Sequence, residues 1–422
     1  MSKISTFRAF RSRNYRLYFA GQSVSLIGTW MQRTSVSWIV YIITHSPFML
    51  GVSMFATQFP SFLLSLAGGV VSDRYNRYRV LLGTQVLSMI QSLVLALLVF
   101  LESAHLNVWS IISLGTVLGV INAFDVPARQ SLVYDMIDDK DDLSNAVALN
   151  SSMVHLSRLI GPALAGFVLE KLGGGVCFLL NALSFVAVIT SLLFMKLPPY
   201  VRKPRTQNSF ADMKDGLKYL GSHRELASLI GMLALMALLV LPFSTQLPVY
   251  AKVIFKGSAS TFGIIDSFIG FGALGGAIFL ASMPKGANLR RILLINTAIF
   301  GTALILFSHM TNFPIALAFL SAAGFGMMAQ TTVTNTLLQT QAAPNMRGRV
   351  ISFFAMSFFG MQPLGALLIG SVSQVIGAPA TVLAEGIIAV VIAIVFSYYV
   401  RKARLEREGA AAMAAPAEVA AA

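Results

Sequence analysis

The sequence has few charged residues and a single cysteine, and each shortage excludes a class of protein. Only 11% of its 422 residues are charged and 56% are apolar, whereas soluble domains carry about 25% charged residues. The mean hydropathy is +0.74. This composition predicts a membrane protein. The one cysteine, Cys177, excludes an internal disulfide and is expected to pack as an apolar residue.

The sequence also lacks the motifs of several enzyme classes. It contains no G-x-x-x-x-G-K-[ST] pattern, and its polar loops are too short for an ATP-binding domain. The five histidines are dispersed, so no metal site is expected, and His155 is expected to be a packing residue. No paired nucleophile and base is identifiable. We therefore expect no cofactor, no metal and no enzymatic activity.

Long apolar runs fill most of the chain. A helix of about 20 residues crosses a bilayer, and lipid offers the backbone no partner outside a helix. The first run, from about residue 15 to 44, follows four basic residues but is too long for a signal peptide, so a retained span is predicted. Twelve spans are predicted, centred on 15–43, 47–71, 79–101, 107–134, 145–170, 174–195, 224–251, 259–282, 290–308, 312–339, 349–374 and 379–400.

Basic residues predict the orientation of the spans. The net charge is +14 and the pI is near 10.1, but most of the 31 Lys and Arg residues fall in loops on one side. Only Lys171, Lys252 and Lys256 fall on the other side. This asymmetry marks the cytoplasmic side of a membrane protein. We predict a multi-pass protein of the bacterial inner membrane, with both termini cytoplasmic and no nucleic-acid partner.

The middle of the chain divides the spans into two sets of six. Residues 197–222 begin with two prolines and a basic cluster, then place apolar residues at helical spacing. They predict a cytoplasmic linker with an amphipathic helix, or an ordinary linker helix. The two bundles are predicted at 1–196 and 223–403, and the alanine-rich tail, 404–422, is expected to be disordered.

A faint internal repeat relates the two halves. Residues 46–58 (SPFMLGVSMFATQ) resemble residues 258–270 (SASTFGIIDSFIG) when Gly51 is aligned with Gly263, a shift of 212 residues. Two related six-helix halves joined by a long inner linker are typical of secondary transporters, in which parallel repeats surround a central pathway.

A charged turn between spans 2 and 3 carries the most specific motif. Its pattern, G-x-x-x-D-R-x-x-R-x-R, resembles motif A of the major facilitator superfamily. The resemblance implies an all-α membrane protein with twelve helices in two pseudo-symmetric six-helix bundles, and a charge network that latches the bundles in the outward-facing state. Asn76 stands where the motif usually has Gly and tolerates a positive φ. From the residues alone, a solvated turn that sets orientation is the alternative. The implied latch residues are Gly69, Asp73, Arg74, Arg77, Arg79 and, from span 4, Arg129.

Span 5 contains a second motif, SRLIGPALAG, which is similar to motif C of antiporters in that superfamily. Gly161, Pro162 and Gly166 match the motif, while Ser157 and Ala165 replace glycines. A generic close-packed helix pair is the alternative, because small residues let any two helices approach. Nearly the whole chain resembles the drug:proton antiporter-like branch that includes the bacterial enterobactin exporter and macrolide-efflux proteins.

Ionisable residues within spans are costly and mark function by default. Asp125 and Arg129 lie four apart and can pair, so a structural role is open to them. A proton carrier needs a buried carboxyl, and Asp125, Asp266 and Glu385 qualify by depth. Glu385 is also placed to snorkel to the outer interface. The candidates for proton coupling or substrate binding are Asp125, Arg33, Arg158, Asp266 and Glu385.

Amides and soft apolar side chains predict the character of the cargo. A cavity with a few amides and many adaptable apolar groups suits a sizeable amphipathic organic molecule better than a sugar. The predicted lining residues are Trp30, Gln58, Asn122, Asn150 and, near one face of span 10, Gln330, Thr334, Asn335 and Gln339.

These patterns predict a monomeric alternating-access transporter that exports an amphipathic organic compound in exchange for protons. Uptake or flipping of a lipid-like metabolite, such as a lysophospholipid, is the first alternative. A solute sensor built on a transporter fold is the second, although no added signalling domain accompanies the spans.

Overall fold

The computed structural model describes residues 7–101, 106–197, 209–284 and 286–419, which are almost entirely helical and contain no strand. In chain order the helices are α1 (Arg13–Thr44), α2 (Pro47–Arg74), α3 (Arg77–Leu101), α4 (Val108–Met136), α5 (Leu143–Leu172), α6 (Gly174–Leu193), α7 (Ser209–Ser222), α8 (Arg224–Ile254), α9 (Ala259–Ala281), α10 (Leu289–Ser308), α11 (Phe313–Gln341), α12 (Arg347–Ile376) and α13 (Ala378–Val419). Two-residue turns precede α2 (residues 45–46) and α3 (residues 75–76).

The helices confirm the predicted spans. Within the described ranges, 11 helices have the length and hydropathy to cross a membrane. The twelfth is α1, which has 32 residues and is less apolar because it buries amides such as Gln22 and Gln32. Spans 1–6 are α1–α6 and spans 7–12 are α8–α13. We call the membrane side with the first turn of α1 and the α2–α3 turn the basic end, and the opposite side the far end.

Two segments outside the spans are also helical. The predicted linker helix is α7, which lies against the start of α12: an Arg349 nitrogen is 3.4 Å from the Asp215 carboxylate, and the Ala343 amide donates to the Tyr219 hydroxyl at 3.1 Å. The tail differs from the prediction, since α13 continues to Val419. Alanine, which dominates this segment, has the highest helix propensity of all residues.

The internal repeat is visible in local structure. Asn76 and Asn288, related by the same shift of 212 residues, cap α3 and α10 with their side-chain oxygens. Asn76 therefore acts as a helix cap and does not use the positive φ that its residue type allows. Among the described non-glycine residues, positive φ occurs only at His45 (48°) and Lys256 (50°), in the corresponding turns before α2 and α9.

Buried amides hold the first bundle together. Gln32 of α1 accepts hydrogen bonds from Ser92 of α3 at 2.8 Å and from Asn181 of α6 at 2.8 Å, and it donates to Gln91 at 3.0 Å. Lipid tails are as apolar as leucine, so hydrogen bonds and close packing select helix partners in a membrane. This group fixes α1, α3 and α6 relative to one another.

Asp125 belongs to a second buried polar group of the first bundle. Its carboxylate accepts hydrogen bonds from Thr84 at 2.8 Å and from Gln85 at 2.6 Å, and it pairs with Arg129 at 3.2 Å. Only 4% of Asp125 is exposed. The sequence-predicted pair between these two residues is therefore confirmed, and its partners all lie within α3 and α4.

We predict that Arg129→Met destabilises the protein and that adding Asp125→Asn to this variant restores its stability. Removing one partner of a buried ion pair typically costs about 3 kcal/mol, because the other charge is left without compensation. The measurement is the temperature at which half of the detergent-purified protein stays monodisperse. A double variant as unstable as Arg129→Met alone would show that Arg129 does not stabilise the protein through its pair with Asp125.

Candidate substrate and coupling site

The structure brings three of the predicted ionisable residues together near the middle of the membrane. Arg33 lies on α1 and Arg158 on α5, in the first bundle, and Asp266 lies on α9, in the second. The guanidinium carbons of the two arginines are 5.0 and 5.6 Å from the centre of the Trp30 ring. Thr34 donates a hydrogen bond of 3.1 Å to Asp266, which connects the bundles. We call Trp30, Arg33, Arg158 and Asp266 the central cluster.

The second motif places α5 between α1 and α9. A Cβ added to Gly161 would meet the Cβ of Trp30, so α1 and α5 lie in close contact. Pro162 has no amide hydrogen and leaves the carbonyl of Arg158 without its usual helix partner. Gly270 of α9 lies against this carbonyl, since an added Cβ would be 2.9 Å from the oxygen. The backbone at Arg158 is thus held at the contact between the bundles.

The central cluster carries more positive than negative charge. Asp266 lies within electrostatic range of Arg33 and Arg158, so two guanidinium groups share one carboxylate. Within the described residues, the buried Nε atom of Arg158 has no hydrogen-bond partner. Leaving a buried donor unpaired costs about 1–3 kcal/mol, and more if it is charged. The cluster is therefore short of hydrogen-bond acceptors.

Small residues join α5 to α9 at the far end. A Cβ added to Gly166 would lie 2.8 Å from the carbonyl oxygen of Ala259, and Gly263 lies against the carbonyl of Pro162. Beyond these glycines, Ser258 donates a hydrogen bond of 2.6 Å to Glu170. Pro162 and Gly166 of the second motif therefore lie at a contact between the two bundles, whereas Gly161 lies against α1 within the first bundle.

A second pair of helices, α2 and α12, meets at the same end. Gly51 lies against the carbonyl of Ala366, and a Cβ added to Gly370 would lie 2.8 Å from the carbonyl oxygen of Pro47. Ser46 donates a hydrogen bond of 2.8 Å to Gln374. Gly51 and Gly263, the residues aligned in the repeat, thus occupy equivalent contacts. Together the two helix pairs close the far end.

The bundles separate toward the basic end. On α2, Leu66 and Gly69 continue the helix face that carries Gly51, because residues three and four apart lie on the same side of a helix. Leu66 is 62% exposed, and a Cβ added to Gly69 would have no atom within 4 Å. On α12, contact with α2 continues to Gly360, where an added Cβ would lie 2.7 Å from the Phe62 ring, and Phe359 before it is 57% exposed. The faces that touch at the far end therefore separate beyond Phe62 and Gly360, toward the basic end.

The first motif lies on this open side. Asp73 is exposed and continues the α2 face of Gly69, and Arg74 and Arg79 are exposed beside it. Arg77 lies 3.8 Å from the Asp135 carboxylate at the end of α4. The motif therefore borders the opening.

Three amides of the first bundle are predicted to line the cavity, and all three are half-buried: Gln58 on α2, Asn122 on α4 and Asn150 on α5. Asn150 accepts a hydrogen bond of 3.1 Å from the Tyr15 hydroxyl, so part of its polar capacity is used within the bundle.

The predicted polar stripe of α11 is two stripes. Gln330 and Thr334 are 0% and 1% exposed, and they point into the second bundle. Asn335 and Gln339 retain exposure and bond to each other at 3.1 Å. Residues four apart share a face, but neighbours are about 100° apart. Gln330 and Thr334 therefore do not line a cavity in this structure.

Glu385 is buried inside the second bundle. It is 0% exposed, so the residue does not snorkel to the membrane surface. Neither carboxylate oxygen has a hydrogen-bond partner in the part of the chain that the structure describes. Its electrostatic neighbour is Tyr250, the first residue of a π-helical turn in α8 that spans Tyr250–Ile254. Such turns frequently occur at functional sites.

Some residues of the site are not identified by the sequence patterns. Glu170 and Ser258 are ordinary residues at helix ends, and only their proximity across the bundles gives them a role. Thr34 and His155 lack a distinguishing spacing. The repeat itself offered one signal, because Gly51 and Gly263 align and both make contacts between the bundles.

Comparison with known proteins agrees with this architecture. The sequence model of the family described as "Transmembrane secretion effector" matches residues 4–421. The chain is 27% identical over 397 residues to the staphyloferrin A transporter of Staphylococcus aureus, covering 93% of this chain and 98% of the relative. It is 27% identical to the enterobactin exporter of Salmonella typhi, with 92% and 91% covered. It is 23% identical to macrolide efflux protein A of Streptococcus pyogenes, with 90% and 96% covered.

Solved structures share the fold at lower identity. A bacterial homologue of the human lysosomal transporter Spinster, in an inward-facing and occupied conformation, has a TM-score of 0.70 at 14% identity, with 92% of this chain and 97% of that chain covered. The nucleoside transporter NupG has a TM-score of 0.66 at 13% identity, with 92% and 98% covered. The two six-helix bundles and the match along nearly the whole chain show that the protein belongs to the transmembrane secretion effector family of major facilitator transporters.

Proposed function

We propose that the protein is a monomeric exporter that moves an amphipathic organic compound out across the bacterial inner membrane in exchange for protons. The basic end faces the cytoplasm, as the distribution of Lys and Arg residues requires. The compound enters from this end, binds near the central cluster and leaves at the far end when the bundles rock about it.

The observation that carries this proposal is the asymmetry of the contacts between the bundles. Gly51, Gly166, Gly263 and Gly370 close the far end, whereas Leu66 and Phe359, on the continuing faces of α2 and α12, are exposed. Alternating access requires two such states of opposite polarity. The structure supports one of them, open toward the cytoplasm, with a charged group at the point where the bundles meet.

The first motif supports the second state. When the basic end closes, the α2 face with Gly69 and Asp73 must meet the start of α12, because these faces already pair at the far end. A glycine allows that approach, and an aspartate at the end of the face provides a contact that can be broken. Asp73, Arg74, Arg77, Arg79 and Arg129 are proposed to hold the closed basic end.

The names of the relatives favour export. The alignment covers 91% of the enterobactin exporter and 96% of the macrolide efflux protein. Both names describe the outward transport of an organic compound. We therefore propose a drug-like or siderophore-like cargo.

Glu385 is the proposed proton carrier. Asp125 is already compensated by Arg129, Thr84 and Gln85, and Asp266 shares the cluster with two arginines. Among the described residues, Glu385 has no hydrogen-bond partner. An isolated carboxylate in such surroundings is costly, so the group binds a proton instead. Because Glu385 lies beside the π-helical turn of α8, losing the proton would disturb the outer half of that helix.

A lipid-like substrate is the second candidate function. It is favoured by an apolar groove of about 400 Å³ between α5 and α9, beside Arg158. Such a groove would let an acyl chain lie between the bundles while a head group reaches the central cluster. Its lining residues are Leu159, Ile160, Ala163, Leu164, Ile264, Ser267, Phe268 and Phe271.

We predict that proteoliposomes with an acidic interior release protons when a transported compound is added outside. The panel contains catecholate siderophores, macrolides, dyes and lysolipids, and an internal pH dye reports proton release. Asp73→Asn is expected to insert normally but to lose most of this flux, because the closed basic end no longer forms. Asp138→Asn is the matched control, since Asp138 is an exposed acid at the same end, outside the motif.

Proton release that is equal in Asp73→Asn and wild type, at equal abundance, would contradict the latch. Flux of a lysolipid without proton release would favour the second candidate function.

We predict that Glu385→Gln uncouples transport. Glutamine has the shape of the protonated side chain but cannot exchange a proton, so compound-driven proton release should disappear. Exchange of labelled for unlabelled compound across the same membrane, which needs no net proton movement, should continue. Asp138→Asn, which changes an exposed acid at the basic end, serves as the comparison and should retain coupling. Proton release at the wild-type rate in Glu385→Gln would remove Glu385 as the carrier.

A further inference from the structure

The geometry points to a substrate class: we propose that Arg33 and Arg158 together bind the carboxylate of an amphipathic organic anion. This inference rests on the proposed function, and it concerns the charge of the cargo. It is carried by the arrangement of the central cluster, in which two cations share one acid near the middle of the membrane.

The surplus charge is the first observation. Placing an uncompensated charge inside a bilayer costs several kcal/mol, so such residues are kept where they pair with each other or with a ligand. Asp266 can compensate one of the two guanidinium groups, and Thr34 already donates to one of its oxygens. A bound carboxylate would compensate the second guanidinium.

The donors of Arg158 are the second observation. Its Nε atom is buried and has no hydrogen-bond partner within the described part of the protein. The flat guanidinium group presents its donors in a fork that fits both oxygens of a carboxylate. The fold therefore leaves one donor of Arg158 unpaired, and a carboxylate bound to the other edge of this guanidinium group would supply the missing negative charge.

Trp30 is the third observation, because it holds two like charges close together. Both guanidinium groups lie within 5.6 Å of the ring centre, where a cation is attracted by the aromatic face. The Cβ of Trp30 lies against Gly161 of α5, so the ring stands beside the helix that carries Arg158. Trp30 is thus a positioning residue that prepares the pair of arginines before a ligand arrives.

The position of Asp266 connects binding to movement. The arginines belong to the first bundle and Asp266 to the second, so their attraction helps hold the bundles together. A carboxylate bound to the arginines takes the place of Asp266 and weakens that attraction. A ligand shifts a conformational equilibrium only if it interacts differently with the two states, and this exchange of partners supplies the difference.

A cationic cargo does not fit the same residues. It would have Asp266 as its only counter-charge in the cluster, already bonded to Thr34. Both arginines would repel it in an environment of low dielectric constant.

Equilibrium binding to purified protein in nanodiscs tests the charge preference. The probes are an acid, an amide and an amine on one fluorophore, namely dansylglycine, dansylamide and dansylcadaverine, with a second matched set on a naphthyl scaffold. We expect the acid to bind at least about tenfold more tightly than the amine, since a charge-assisted hydrogen bond is worth about 1.5–3 kcal/mol.

Variants separate recognition from general electrostatics. Arg158→Gln should weaken acid binding by about tenfold or more and change amide binding little. Asp266→Asn should strengthen acid binding, because it removes a competing carboxylate. Arg291→Gln removes the same charge from an exposed position at the basic end and should change none of the affinities. If Arg158→Gln does not fold, Arg33→Gln replaces it.

Tighter binding of the amines, equal losses for all three probes, or no binding of either acid would overturn the inference. The proposed function is tested separately by flux. Proton-coupled export of a neutral or cationic compound without any preference for acids would refute anion recognition and leave the exporter intact. Selective acid binding without coupled flux would support anion recognition and refute proton-coupled export.

Discussion

Close backbone contact between the two bundles at the far end is the constraint on which the rest of the structure depends. The contact exists because Gly51 and Gly370, and likewise Gly166 and Gly263, leave no side chain between the helices. In lipid, small residues take the part that hydrophobic burial has in water, since apolar side chains gain little by leaving the acyl chains. Contacts of this kind are numerous, directional and individually weak, so they can form and separate as a unit.

The central cluster lies where these contacts end. Beyond it, toward the basic end, the helix faces of α2 and α12 diverge, and this is the side from which a compound is proposed to reach the arginines. The second motif connects the central cluster with the contacts at the far end, because Gly161 and Pro162 place the backbone of Arg158 between α1 and α9. Binding chemistry and bundle contact therefore share one helix, which is what coupling between them requires.

The carboxyl groups within the spans have different environments and hence different uses. Asp125 is compensated within the first bundle and contributes to its rigidity. Asp266 lies between the bundles and exchanges partners in the proposed transport step. Glu385 has no hydrogen-bond partner among the described residues, and its electrostatic neighbour Tyr250 begins the irregular part of α8. The sequence marked all three by depth alone.

Much of the fold follows from the sequence, because lipid forces apolar runs of sufficient length to be helices. The twelve spans were predictable on that ground, and the linker helix from its amphipathic spacing. The repeat of Gly51 and Gly263 anticipated equivalent contacts. The site was less predictable. Arg33, Arg158 and Asp266 are far apart in the chain, and no spacing rule places residues of α1, α5 and α9 beside one another.

The stripe of α11 shows the same limit on a smaller scale. Gln330 and Asn335 lie on different faces of α11, and the sequence does not indicate which of these faces is buried in the second bundle. The tail shows a second limit of prediction from sequence. Its lack of an amphipathic pattern indicates disorder, whereas its alanine content favours the helix that continues to Val419.

Distances between spin labels at both ends of the bundles test alternating access most directly. In a Cys177→Ser background, one pair of labels replaces Phe48 and Val375 at the far end, and a second pair replaces Tyr75 and Gly348 at the basic end. Comparing acidic and neutral pH, with and without a transported compound, alternating access predicts that one distance lengthens as the other shortens. Two distances that stay fixed, or that change in the same direction under every condition, would contradict it.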